Sequence, residues 1–211
     1  MNESRPDALH RVAMVLNIGA KLTLAALIAF YLLRPDLDQF AGKVMPLRTL
    51  LYPLAAAMVP VVWWLTGRGR PYPHLIDALV TLPTVVDYGG NAAGFYAHEG
   101  FDHLVHLVNT SMLTLAFGLA LTGWALPRLA TAGLTLGFGS VLHTVWEIIE
   151  FHLDTLFDAG LDVAAQTTIR DFMAGITGAS ASALVVWWHL REREGGRRAR
   201  GAGGPSQPGA R

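Results

Sequence analysis

Six stretches of roughly 20 residues, each almost free of charge, recur along this 211-residue chain. A helix of about that length spans the hydrocarbon of a bilayer. The stretches cover residues 12–33, 49–66, 74–97, 103–124, 128–153 and 168–190. Helix is the expected form of each, because an open sheet would leave backbone N–H and C=O groups unpaired in lipid. Composition agrees: only 15% of residues are charged, where a soluble domain has about 25%. The fold class is therefore all-α, a multi-pass transmembrane helical bundle of five or six spans. The ambiguous stretch is the third, whose Asp77, Pro83, Asp87 and "YGGN" fit either a span or a re-entrant segment. The first follows Arg11 and lacks an Ala-x-Ala exit, so it reads as an uncleaved span rather than a signal peptide. Residues 1–194 form the integral-membrane domain. Residues 195–211, "GGRRARGAGGPSQPGAR", have the composition of a disordered tail.

Sixteen basic and sixteen acidic residues cancel, so bulk charge excludes a nucleic-acid partner. The absence of Cys excludes disulfides and thiolate chemistry. The distribution of Arg and Lys sets an orientation. With six spans, Arg5, Arg11, Arg68, Arg70, Arg128, Arg191, Arg193, Arg197, Arg198, Arg200 and Arg211 share the inner face, against Arg34, Lys43 and Arg48 outside. With a re-entrant third segment the split is ten against four. Both put the C-terminus in the cytoplasm, and Asp102, the acidic link 154–162 and Asp171 toward the outside of a bacterial plasma membrane.

Within these apolar segments stand ionisable residues. An ionisable side chain in hydrocarbon costs on the order of 2.5–3.5 kcal/mol even on insertion scales, so such groups face a protein interior and each other. "FDHLVHLVN" opens the fourth segment, "HTVWEIIEFHLD" closes the fifth and "QTTIRDF" opens the sixth. At about 100° per residue, His143, Glu147, Glu150 and Asp154 fall within roughly 60° of one another on the fifth helix, and His152 points away. Asp102, His106 and Asn109 share a face of the fourth, with His103 about 60° from His106. Asp171, Gly175, Gly178 and Ser182 form a stripe on the sixth, small enough for a close helix approach. The third segment adds Asp77, Thr81, Thr84, Tyr88 and Asn91 along one side. Candidate catalytic residues are Asp102, His106, Glu147, Glu150, Asp154 and Asp171. Candidate metal ligands are His106, His143, Glu147 and Glu150, a donor set suited to a divalent transition metal. Helix rise puts Glu147 level with His106 or Asn109, so His106 is expected within direct or single-ligand reach of Glu147 or Glu150, with Asp171 closing the same cavity.

"DYGGN", "GFYAHEGFDHLVH", "WEIIE", the following Asp154 and "QTTIRDFMAGITGA" together resemble the YjdF-type family of predicted bacterial inner-membrane proteins. A fainter likeness extends to the VanZ-like group. The resemblance covers about residues 45 to 190 and implies Asn91, Asp102, His106, Glu147, Glu150, Asp154, Gln166, Asp171 and Gly178 as the matching positions. Thr167, Arg170 and Gly175 depart from the pattern, where the family often carries Asp, Trp and Asn. The resemblance implies a membrane protein and no settled activity.

Three readings of the polar residues stay open. They form a structural network that locks the bundle, a metal-dependent or acid–base enzyme site for a lipid-linked or envelope substrate, or the path of a transporter or proton relay. The lipid bilayer is the one partner that composition names; the oligomeric state is not encoded in any motif. Trp63, Trp64, Trp187 and Trp188 are expected in an aromatic belt at the inner interface. Lys21, too deep to snorkel easily, is expected to contact a polar group inside the bundle.

Overall fold

The computed structural model describes residues 5–67, 69, 71–157 and 164–202, and among them every regular element is helical. Six long helices follow one another: α1 (Arg5–Leu33), α2 (Met45–Thr66), α3 (His74–Ala92), α4 (Phe101–Leu121), α5 (Arg128–Phe157) and α6 (Ala165–Ala202). Single 3₁₀ turns, Asp38–Phe40 and Phe95–Ala97, lie in two of the connections. The third segment ends as helix at Ala92, short of residue 97, because Gly94 turns the chain at φ +72°. Gly100, at φ +83°, then releases it into α4. α6 extends to Ala202, into the Gly/Arg-rich stretch; residues 203–211 of that stretch, like 158–163 of the acidic link, lie outside the described residues.

Contacts divide the bundle into two halves of three helices, α1–α3 and α4–α6, joined where α3 packs on α4. All except α3 are long and apolar enough to cross a membrane. α3 is less apolar because neighbours surround it on three sides. It also runs the full length of them. Its start lies beside Asn17 of α1 and its end beside Tyr31, and Asp87 near that end meets Arg48 at the start of α2. A re-entrant segment would turn back midway; α3 does not. Chain direction therefore alternates through six helices, with three of the five connections at one end and two at the other. The end where α1, α3 and α5 finish and α2, α4 and α6 begin is the site end, the other the tail end.

The bundle has the layering expected in lipid. Large apolar side chains such as Leu22, Leu54, Val141 and Leu184 point outward, while small and polar residues fill the interior. Two apolar clusters do lie inside, one around Leu24, Met45, Tyr52 and Tyr88 and a smaller one at Val59, Val80 and Ala116. Without a hydrophobic force between helices, close packing and polar contacts hold them together. Gly178 of α6 rests against the Leu107 carbonyl and Ser111 of α4, and Ser182 donates a 2.7 Å hydrogen bond to the Ser111 carbonyl. Gly118 and Gly139 admit Val186 and Thr114 in the same way.

Proline shapes the other half. Pro60 has no N–H, so it leaves the Ala56 carbonyl of α2 without its helical donor. Lys21 supplies one from α1, at 2.5 Å, and pairs with Asp77 of α3 at 3.0 Å. Tyr72 donates to the other Asp77 oxygen at 2.6 Å. Burial and that carboxylate both push the Tyr72 phenol well above its ordinary range, which keeps it a donor. Three helices are thus tied at one point near the tail end. Trp63 packs on Tyr72, and Arg128 and Arg191 stack on Trp187 at this same end, an arrangement that suits an interfacial belt.

Candidate functional site

At the site end the helix mouths enclose a cavity of about 640 Å³. Its walls come from the start of α4, the last turns of α5, the start of α6 and the links before α2 and α4. Asp102, His103, Glu147, Glu150 and Asp171 line it, and buried His106 and His143 stand behind them. Asp102 and His106 are one turn apart on α4, His143, Glu147 and Glu150 follow each other at helical spacing on α5, and Asp171 sits in the second turn of α6. Gly175 faces the His143 ring so closely that any side chain there would collide with it. The absence of a Cβ at Gly175 is what lets α6 carry Asp171 up to α4.

His106 is the centre of the cluster. Its Nδ1 lies 3.4 Å from Glu147 Oε1. Its Nε2 lies 3.6 Å from Asp102 Oδ1, 3.7 Å from Glu150 Oε2 and 3.8 Å from Asp171 Oδ1. His103 binds Asp171 Oδ1 through Nδ1 at 2.5 Å. His143 contacts Glu147 Oε1 through Nε2 at 3.4 Å, and that nitrogen also lies 2.8 Å from the Asp171 carbonyl. A carbonyl only accepts, so His143 carries its proton on Nε2 and donates it there. Glu147 is 8% exposed, and its Oε1 is buried without a hydrogen bond of good geometry. Two groupings in this cluster have metal-ligand spacing: His106, His143 and Glu147, and Asp102, His106 and Asp171.

Beside this cluster stands a second one. Asp87 of α3 is buried and accepts from Arg48, Tyr52 and Tyr96 at once, while Asn91 donates to its backbone carbonyl at 2.9 Å. Burial and the Asp87 carboxylate hold the Tyr96 phenol far above its usual range, so Tyr96 stays a hydrogen-bond donor. The pair consumes the Arg48 charge. Sequence reading placed Arg48 among the outer-face charges and missed this role. An Arg one turn before a Tyr at the start of α2, with an Asp inside an apolar α3, is the signal that was present.

The expected meeting of α4, α5 and α6 is what the fold shows: His106 contacts both Glu147 and Glu150, and Asp171 lies against it. Asp154 is partly buried on the next turn of α5, outside the cavity lining, while exposed His152 sits at its mouth. Asn109 has a buried, unpartnered Oδ1 below His106. Gln166 is exposed and does not line the cavity.

A family model described as "Predicted membrane protein (DUF2238)" matches residues 16–192. No curated protein and no solved structure matches the chain. The match covers both halves of the bundle and every residue of the cluster, so the chain belongs to this family of membrane proteins, consistent with the YjdF-type resemblance.

Proposed function

We propose that this member of the DUF2238 family is a bacterial plasma-membrane protein with its C-terminus in the cytoplasm, and that its outward-opening cavity holds a divalent transition metal in an enzyme site. The single observation that carries the reading is the partition of carboxylates around His106. A neutral imidazole has one N–H and one lone pair. Nδ1 faces one carboxylate and Nε2 faces three. With the proton on Nδ1 toward Glu147, the Nε2 lone pair and three anionic oxygens converge on one point. That convergence is repulsive unless a proton or a metal cation occupies it, and the metal is the occupant in this reading. Ligands about 2.0–2.2 Å from a metal in tetrahedral array are about 3.3–3.6 Å apart, close to the spacings around Nε2.

Asp102, His106, Glu150 and Asp171 are the ligand set in this reading. Glu147, 3.4 Å from Nδ1, is a positioning residue for the His106 ring, in the place of the carboxylate of a carboxylate–histidine–metal relay. His103 positions Asp171. Mixed imidazole and carboxylate donors suit a zinc- or manganese-like ion rather than calcium. Such an ion polarises an ester oxygen and activates water, which places hydrolysis of an amphiphilic substrate first among reactions. A purely structural network is less favoured, since the carboxylates of this cluster line a cavity instead of a closed core. Orientation rests on charge: with six crossings Arg34, Lys43, Arg48 and Arg170 belong to the site end, and eight other Arg among the described residues to the tail end.

The test is elemental analysis of detergent-purified protein, wild type beside Glu150→Gln and Asp171→Asn, with His152→Gln as control. Near-stoichiometric metal in wild type and control, lost in the other two, is the expected result. Metal-free wild-type protein after growth and dialysis with zinc or manganese rejects the reading. A proton relay is the second reading, favoured by the buried row Asp77, Thr81, Thr84 and Asp87, in which Thr81 Oγ1 has no partner. Proton flux into proteoliposomes that is abolished by Asp77→Asn supports it.

A further inference from the structure

The cavity wall is not uniformly acidic. Lys43, from the link before α2, and Arg170, from the first turns of α6, line it together with the carboxylate cluster. Arg170 is exposed, and neither cation forms an ion pair within 4 Å among the described residues; Lys43 stands 5.4 Å over the Tyr96 ring, with its charge also felt by Asp102. Arg48 differs, because Asp87 has taken its charge. A third kind of lining completes the site: Ile148 and Phe151 of α5, both 53% exposed, and Phe172 of α6. These residues carry the cavity toward the outer, apolar surface of the bundle.

A ligand that suits all three walls has an anionic head and an apolar body. A bare anion would be repelled by Asp102, Glu150 and Asp171 unless a metal neutralised them, so the head must have oxygens to offer in two directions. A carboxylate has two oxygens in one plane and a single charge. A phosphate group is tetrahedral, carries more charge, and can turn one oxygen to a metal while others accept from a guanidinium and an ammonium. The volume is within the roughly 300–1,000 Å³ of small-molecule sites. It holds a headgroup and the first part of a chain, and the remainder of a long chain stays in the bilayer beside Ile148 and Phe151.

We infer that the cavity binds a phosphate-bearing amphiphile, its phosphate held between Lys43 and Arg170 on one side and the His106-centred metal on the other, its chain leaving past Ile148 and Phe151. This rests on the metal reading above for one of its two phosphate contacts. The test uses the full chain in a maltoside detergent, titrated calorimetrically with dihexanoyl phosphatidic acid, dihexanoylglycerol and inorganic phosphate. Metal content is measured on the same samples. Saturable binding of the phosphatidic acid, at least tenfold tighter than either other ligand, is expected. Lys43→Gln/Arg170→Gln should weaken it at least tenfold with metal content unchanged. Equal binding of the neutral lipid, or of inorganic phosphate, overturns the inference, as does wild-type affinity in the double variant. Lys43- and Arg170-dependent binding to a metal-free protein keeps the phosphate site and rejects the metal centre. Normal metal content with no phosphatidic acid binding does the reverse.

Discussion

Gly178→Ala should separate α6 from α4 and loosen the site two turns away. A Cβ at Gly178 would stand 2.5 Å from the Leu107 carbonyl oxygen and 2.7 Å from Ser111 Oγ, whereas ordinary contact begins at 3.4 Å. The serine hydroxyl can rotate, but the carbonyl is part of the α4 backbone and cannot. The difference, 3.4 less 2.5, requires α6 to retreat by about 0.9 Å. A gap of roughly 0.5–1 Å forfeits about a quarter to a half of the dispersion attraction across the contact. Overpacking generally costs about 1–3 kcal/mol, and a backbone obstacle puts this case at the upper end. At roughly 2–4 °C per kcal/mol for a chain of this size, the melting temperature in detergent should fall by on the order of 5–10 °C. Asp171 moves with α6, away from His103 and His106, so retention of the proposed metal should fall as well. Gly137→Ala on α5 is the control: a Cβ there meets nothing within 4 Å, and Ala is the better helix former by up to about 1 kcal/mol. Equal melting temperatures for the two variants would refute the account of α6 docking through its small residues.

Lys21→Met takes the donor from Asp77 Oδ1 and from the Ala56 carbonyl, with Tyr72 left on Asp77 Oδ2. The loss should be about 1–3 kcal/mol by thermal or urea unfolding, below the roughly 3–5 kcal/mol of a sealed pair, because Lys21 is 32% exposed. Adding Pro60→Ala restores an N–H for Ala56 and should recover about 1 kcal/mol; no recovery would mean that the carbonyl is satisfied otherwise. Single changes His106→Gln and Glu147→Gln should each cost on the order of 1–3 kcal/mol. The double variant should cost less than their sum, and strict additivity in unfolding experiments would separate the two residues. The chain has no Cys, so single cysteines report cleanly on sidedness. An impermeant maleimide should label Glu99→Cys in intact cells and leave Gly69→Cys unlabelled, and the opposite pattern would invert the proposed orientation.

Residue order alone determined the membrane class, the helical fold and the polar face of each helix. These follow from the length of the apolar runs and the 3.6-residue period, both local properties of the chain. The stripe Asp171, Gly175, Gly178, Ser182 was legible for that reason, and so was the common depth of His106 and Glu147. The ambiguity of α3 was not local. Its Asp77, Thr81 and Asp87 make it too polar to stand alone in lipid, and only the presence of α1, α2 and α4 around it turns that polarity into buried contacts along a full-length helix. The partners of those carboxylates, Lys21 at 56 residues' separation and Arg48 at 39, lie on helices no sequence spacing connects. The site was decided at the same level. Helical angles brought Asp102, His106, Glu150 and Asp171 to inner faces. Which nitrogen of His106 meets one carboxylate and which meets three depends on the approach of α6 to α4, and that approach is set by glycines whose missing Cβ atoms matter only against a neighbouring backbone.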